Sequence, residues 1–542
     1  MSELHELQHR PRAPSSSASS DSPPGALTPD EDDDAYELSD DMPSDLRAGD
    51  SLSRDDDELN RRTVRKLDVI LLPFLALLFL FNSLDKSNIG SAESAHFTTD
   101  AGLDRQDVNT AVALFFVFFV ALQPVGAALG RKYGMKRWVP ACMALWGLCT
   151  TLHVWVHAAW QLYILRITIA TLEAGFYPVT VSYLSLFYTR FEFGRRLAIF
   201  YGQAAVAGAF GGILSYAVFS HFPREDAREI DDPAALPTHS SWHSWQILFL
   251  IEGLTTMTIA LTGFFWLPER AKTAWFLNPD EREWAEERIK RDREAHDVLS
   301  ALSSWKVYYL LVFNILSAIP STAFSIFLPL VLSPLSSTPA LANLLTAPPY
   351  ICAAATLYAF TSWSDRIRDR TKPILYSLAI VLVGFAGTIF LPSRTTEPDA
   401  NADSDSDKHD THLLAPRYLA LCILLSGTFI ASPLTVAWLT NNLPAPGKRA
   451  IALGINGWGN VAGVLASLLF APRFAPAGYR ASFAWTAVAV AAAAAGFAGF
   501  RALLVRENDW RRSVIEGWDD EEVEAERRER EGDERLTFVY GL

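Results

Sequence analysis

Lysine is missing from both ends of this 542-residue sequence: none precedes Lys66 and none follows Lys448, so neither end can be modified through a lysine side chain. Cysteine is scarce. The four present, Cys142, Cys149, Cys352 and Cys422, all sit in apolar stretches, which excludes an extracellular disulfide framework and zinc-ligand spacing. Cys142 and Cys149, seven apart on one helix face, read as small packing residues. A Gly-rich phosphate loop and an ATPase motif are also lacking, which argues against pumping by ATP. The first sixty residues are rich in Ser, Pro and Asp with no apolar core, so the first hydrophobic helix is expected to direct insertion itself. No catalytic constellation is visible, and an enzyme is not expected. The histidine pair His153 and His157 has i, i+4 spacing but no third ligand, so neither a metal nor a cofactor is expected.

What the sequence has in abundance is apolar helix. Half of its residues are hydrophobic and the mean hydropathy is +0.13. A bilayer core of roughly 30 Å needs about 20 apolar residues per crossing. Segments of that kind fall near 67–90, 108–130, 137–157, 161–187, 196–219, 246–267, 305–332, 340–362, 373–391, 416–440, 449–471 and 482–505. Acid is concentrated at the ends: 17 Asp/Glu against 4 Lys/Arg in 1–60, and 13 against 6 in 507–542. The acidic pI of 5.3 therefore describes the ends and not the body. Around the twelve segments, alternate loops carry 29 and 9 Lys/Arg, in phase throughout. That bias predicts a multi-pass protein with both ends in the cytoplasm.

The domain reading follows: a disordered acidic tail (1–60), a six-helix half (61–267), a cytoplasmic loop (268–304), a second six-helix half (305–506) and a charged tail (507–542). In the loop, Asn278-Pro279-Asp280-Glu281 reads as the start of a charged surface helix, either lying under the bundle or, the preferred reading, serving as a solvated connector. The stretch 519–535 is expected to be helical without packing on anything. The fold class is all-α, twelve transmembrane helices in two pseudo-symmetric halves. This arrangement resembles the major facilitator superfamily, in which two halves rock about a midplane site.

Charges inside spans are costly and usually functional. Among the basic residues of 61–506, only Arg166 lies deep in a span, and Glu173 follows seven residues later on nearly the same face. A structural ion pair is the competing explanation. The first apolar run, Val69 to Leu84, is short, so its helix is expected to continue through Ile89 with Asp85 and Asn88 turned inward towards a cavity. The alternative leaves Asp85 and Lys86 at the water interface.

Specific motifs narrow the resemblance. Leu84-Asp85-Lys86-Ser87-Asn88-Ile89-Gly90-Ser91-Ala92 is similar to the L-D-R-x-N-[IL]-[GS]-x-A signature of the anion:cation symporter family. Arg166 and Glu173-Ala174, then Pro178, resemble that family's R-x6-E-A-x3-P. The likeness continues through Tyr183-Leu184-Ser185, Arg190, Glu192, Trp245-Gln246-Ile247-Leu248-Phe249, Ile251-Glu252-Gly253, Leu267-Pro268-Glu269, Lys448-Arg449 and Asn460, spanning about 62–510. Fungal members are permeases for nicotinate, pantothenate, biotin, allantoate and related organic anions. The resemblance implies that Asp85 and Glu173 carry protons. It implies that Lys86, Arg166, Asn88, Tyr177, Gln203 and Asn460 contact substrate. It implies proton-coupled uptake of a small organic anion by a monomer in the plasma membrane, with lipid and solute as partners and no nucleic acid.

Two departures stand out. Lys86 occupies the place of a usual Arg, giving a point charge where a planar fork would bind a carboxylate with two hydrogen bonds. The superfamily's loop motif runs from Gly126 to Arg137 without its Asp, whereas the second half keeps Asp365-Arg366. Arg131, Lys132, Asp365 and Arg366 are expected to latch helices at the cytoplasmic face. Glu252 is expected to make a structural hydrogen bond near an outer helix end. A facilitator or exporter of a different solute, and a transport-inactive nutrient sensor, are the alternative functions.

Overall fold

In a computed structural model of the full chain, the described residues are 58–188, 190–222, 242–292, 305–336, 338–391, 406–443, 452, 455–529 and 535–541. Among them there is no β-strand. Ten helices are long and apolar enough to cross a membrane unaided. Met135–Leu152 and the segment Gly457–Leu469 fill the third and eleventh places of the expected twelve.

The first span passes through a π-helical turn, Leu67–Leu71, into α1 (Leu72–Ser94). The short α2 (Phe97–Ala101) leads to α3 (Arg105–Tyr133), which starts on a capping box formed by Asp104 and Asp107. Gly134, at φ 78°, turns the chain straight into α4 (Met135–Leu152). Its counterpart in the second half is Arg368, at φ 53°, a strained conformation for a residue with a Cβ.

The fourth span is broken into α5 (Ala159–Glu173) and α6 (Phe176–Leu184). Pro178 has no N–H for the Ala174 carbonyl, and the break falls at Ala174–Gly175. The first half closes with α7 (Arg190–His221) and α8 (Ser244–Trp266). After α9 (Pro279–Asp292), the second half follows as α10 (Trp305–Leu332), α11 (Pro339–Leu344), α12 (Ala347–Ile367) and α13 (Thr371–Phe390). The tenth span repeats the device of the fourth: α14 (Ser406–Thr428) and α15 (Ala431–Asn441) part just before Pro433. The chain ends through α16 (Val461–Leu469), α17 (Arg480–Ile515) and α18 (Asp520–Glu529).

The halves meet backbone to backbone. A Cβ on Gly90 of α1 would lie 1.7 Å from the Ile326 carbonyl oxygen of α10, so only glycine permits this approach. Large apolar side chains such as Phe265 and Phe390 are more than four-fifths exposed, as suits a surface facing lipid.

Two expectations need correction. The α9 helix does begin at Asn278-Pro279 but is docked, not merely solvated: Ala285 and Ile289 are buried, and Lys66 donates to Glu281 at 2.7 Å. The described part of the stretch 519–535 also packs. Glu526 of α18 accepts from the Thr537 hydroxyl at 3.0 Å and steers the following segment back onto the bundle. There the Tyr540 ring is buried, and Trp438 Nε1 donates to the Gly541 carbonyl at 2.7 Å. The expected tail 1–60 falls mostly outside the described residues, as do 293–304 of the central loop.

Candidate functional site

A cavity of about 180 Å³ lies between the halves. Phe79, Asn82 and Lys86 of α1, Phe116 and Phe119 of α3, Tyr177 of α6 and Tyr201 of α7 form its wall on the first-half side. Asn314, Ser321 and Ser325 of α10, Phe429, and Asn456 and Asn460 form the opposite wall. Among the described residues lining it, Lys86 is the one that is charged. Its Nζ lies 4.5 Å from the Phe119 ring centroid, donates to Asn82 Oδ1 at 3.1 Å and stands 3.8 Å from Glu173 Oε2. Glu173 is fully buried, and neither carboxylate oxygen has a hydrogen-bond partner. Lys86 therefore joins the cavity to an acid that substrate in the cavity would not touch directly.

Arg166 and Glu173 share a face but do not pair. Seven residues of helix rise about 10.5 Å, so each meets a different level of the antiparallel α1. Glu173 meets Lys86, while Arg166 donates from Nη1 to the Asp85 carbonyl at 3.2 Å and from Nη2 to Asn88 Oδ1 at 3.0 Å. Asp85 and Asn88 are turned inward, but they do not reach the cavity that they were expected to face. Asp85 Oδ1 accepts from the Thr150 hydroxyl at 2.6 Å and from Asn88 Nδ2 at 3.2 Å. Asp85, Asn88 and Arg166 thus form a polar layer behind the cavity wall.

The remaining candidates divide in the same way. Tyr177 lines the cavity, its ring 5.3 Å from that of Tyr201, and its hydroxyl has no hydrogen-bond partner. Asn460 lines it too, with Nδ2 donating to the Gly457 carbonyl at 2.8 Å. Gln203 does not. The face of α7 that meets the cavity carries Tyr201, Ala204 and Gly208, and Gln203 falls instead in a groove with Asp68 and Arg196. Arg131, Lys132, Asp365 and Arg366 lie exposed at helix ends, with Asp365 paired to Arg370 at 2.5 Å. Lys448 and Arg449 lie outside the described residues, as does the side chain of Glu192.

Sequence reasoning passed over Asn82, Tyr201, Asn314 and Asn456. Asn314 Nδ2 donates to Asn456 Oδ1 at 3.2 Å, tying α10 to the eleventh span across the uncharged wall. An asparagine amid Val-Phe-Asn-Ile-Leu was a usable signal, because an amide in an apolar span needs an internal partner. Glu252 also differs from expectation: it is 3% exposed and faces the Asp85, Asn88 and Arg166 layer.

A twelve-span bundle in two halves, with a polar cavity between them and buried charges beside it, defines a membrane transporter of small solutes. The chain belongs to the major facilitator superfamily. That family's sequence profile matches residues 75–330. The chain is 30% identical to the MFS-type transporter efuF of Hormonema carpetanum, over 78% of this chain and 81% of that one. It is 28% identical to the high-affinity nicotinic acid transporter of Saccharomyces cerevisiae, over 77% and 73%. Its fold is similar to that of a bacterial homolog to the human lysosomal transporter Spinster in an inward-facing, occupied conformation. That match has a TM-score of 0.56 at 16% identity, over 80% of this chain and 96% of that one.

Proposed function

We propose that this chain is a proton-coupled importer of a small organic anion, of the anion:cation symporter type, acting as a monomer in the plasma membrane with both ends in the cytoplasm. One observation carries the reading: Lys86 stands at the cavity wall within 4 Å of Glu173, one cation placed between a buried acid and the cavity. A substrate carboxylate entering the cavity competes with Glu173 for Lys86. A displaced Glu173 would be an unpaired charge inside the membrane, which costs several kcal/mol unless the group binds a proton. Substrate anion and proton then cross together, with no net charge added to the site. The similarity to a nicotinic acid transporter supports an anionic solute. The aromatic wall of Phe79, Phe116, Phe119 and Tyr177 suits a ring or an apolar chain behind the carboxylate. Arg131, Lys132, Asp365 and Arg366 sit at the helix ends where a latch between conformations would act.

The test is uptake of labelled vitamins and carboxylates by cells expressing the protein, at external pH 5 and 7.5. Uptake of the transported anion should be faster at pH 5 and should stop when a protonophore is added. Undiminished uptake with the gradient collapsed would end the symport reading.

A further inference from the structure

Behind the cavity wall, away from Lys86, a second group of polar side chains is buried between the first, third, fourth and sixth spans. Glu252 on α8 is 3% exposed and its Oε2 has no hydrogen-bond partner. It shares the buried face of α8 with Phe249 and Gly253. A Cβ on Gly253 would meet Thr151 Oγ1 at 2.2 Å and the Gly147 carbonyl at 2.7 Å, so α8 and α4 touch almost backbone to backbone here. One turn away, the Phe249 ring lies on His153, with centroids 4.9 Å apart. His153 is fully buried. Its Nδ1 lies 2.9 Å from the Cys149 carbonyl and so carries the hydrogen, which leaves Nε2 as an acceptor without a donor. Asp85 Oδ2 is likewise without a partner.

Hydrogen-bond accounting shows what is missing. Glu252 Oε2, Asp85 Oδ2 and His153 Nε2 are three acceptors with no donor. Arg166 interacts electrostatically with all three groups, yet it donates to Asn88 and to a backbone carbonyl and leaves Nε unpartnered. A buried acceptor left without a donor is destabilising, because it has given up its water and gained nothing in return. Charge accounting agrees. Among the described residues packed around Lys86 and Arg166, three carboxylates are buried, Asp85, Glu173 and Glu252, against those two cations; Glu93, also buried, lies further along α1 beside Arg105. One hydrogen, bonded to a carboxylate oxygen, would cancel the excess charge and turn one acceptor into a donor to another.

We propose that Glu252, with His153 and Asp85 as the acceptors facing it, is a second proton-binding site of the transporter, separate from the Lys86–Glu173 pair and out of reach of substrate. The hydrogen sits on Glu252 Oε2 and is donated towards His153 Nε2 or Asp85 Oδ2; on release it leaves to water and Glu252 becomes a carboxylate facing Arg166. The groups around it are Asp85 and Asn88 from α1 and Arg166 from α5; Thr150 of the third span bonds Asp85, and His153 lies against Phe249, one turn along α8. Asp85 and Lys86 are adjacent on α1, about 100° apart around the helix, with Lys86 at the cavity and Asp85 in the layer behind it, so a rotation of α1 that moves Lys86 onto substrate also moves Asp85 against this site. The proposal rests on the proton-coupled reading for its role, but not for its existence.

Infrared spectra of the purified protein in phosphatidylcholine vesicles at pH 7, in H2O and D2O, test it without any substrate. A protonated carboxylic acid gives a carbonyl band that shifts in D2O. Glu252→Gln should abolish one such band, and Glu173→Gln should leave that band in place. In uptake assays Glu252→Gln should lower the protons carried per anion by one while anion exchange persists. Identical acid bands in wild type and Glu252→Gln would overturn the proposal. If Glu252→Gln does not reach the membrane, Glu252→Asp and His153→Phe replace it. Each keeps a carboxyl in place and should displace the band, and an unmoved band in both overturns the proposal equally. Gradient-independent uptake would defeat the importer reading and leave this infrared result untouched.

Discussion

At Lys86, a single methylene-linked ammonium is shared between a cavity and a buried acid, and its chemistry sets what substitutions should do. Lys86→Arg keeps the charge but spreads it over a planar fork, so it should retain transport with a changed order of preference among anions. Lys86→Ala should raise the apparent KM for the anion at least tenfold, the equivalent of about 1.4 kcal/mol. A Lys86→Ala protein with wild-type KM on every anion would remove Lys86 from the site. Glu173→Gln fixes the neutral state, so net proton-linked uptake should fall by orders of magnitude while substrate exchange survives. Loss of exchange together with net uptake, at normal surface expression, would make Glu173 structural. These side chains could be picked out in the sequence because a charge in an apolar run is rare. Their pairing could not. The i, i+7 spacing of Arg166 and Glu173 shows a shared face, but which level of α1 each one meets depends on the register of two antiparallel helices. Gln203 shows the same limit: a polar residue in a span can be found by composition, but the face it points to is fixed by packing.

Most spans were readable to within a few residues because twenty-residue apolar runs admit few alternatives in a membrane, but their polar extensions were not: α14 begins at Ser406 against an expected 416, and α17 runs to Ile515 against an expected 505. The breaks in the fourth and tenth spans were written in Pro178 and Pro433, each just after the turn that parts two helices. Helix contact was less accessible, since the sequence marks glycines without saying what they touch. Gly90 is the sharpest case, with α10 backbone occupying the place of its Cβ. Gly90→Ala should push α1 from α10 and disfavour the conformation described here, in which this contact is closed. Expected is roughly a tenfold or greater fall in uptake, about 1.4 kcal/mol or more, with surface expression maintained. Reactivity of a cysteine placed at Ser91 towards a membrane-impermeant thiol reagent should rise in the Gly90→Ala background. Unchanged reactivity with normal uptake would show that the two helices part freely.

Across the whole molecule, the ends of the spans are held by ion pairs that the loop motif did not anticipate. The motif pointed to Asp365, but Asp365 is half exposed and ties to Arg370, five residues along the chain. Asp369, four residues on, is the acid that joins elements distant in sequence: Arg501 of α17 donates to its Oδ2 at 2.7 Å, and the Lys372 backbone N–H donates to Oδ1 at 3.1 Å. Burial works against ionisation of this carboxyl, but the Arg501 hydrogen bond, the Lys372 N–H and the two neighbouring cations outweigh it and hold it below the usual carboxylate range. A group lowered on folding adds stability above its unfolded value, near 4, and loses that contribution as pH falls through the lower folded value. With Arg501 a quarter exposed and solvent screening part of the charge, the contribution is roughly 1–2 kcal/mol. Asp369→Asn should therefore lower the melting temperature of the detergent-solubilised protein at pH 7. The gap between mutant and wild type should narrow as the pH is taken from 5 towards 3. A gap of the same size throughout that range would mean that Asp369 acts through its shape and hydrogen bonds, with its charge contributing nothing to the hold between α13 and α17.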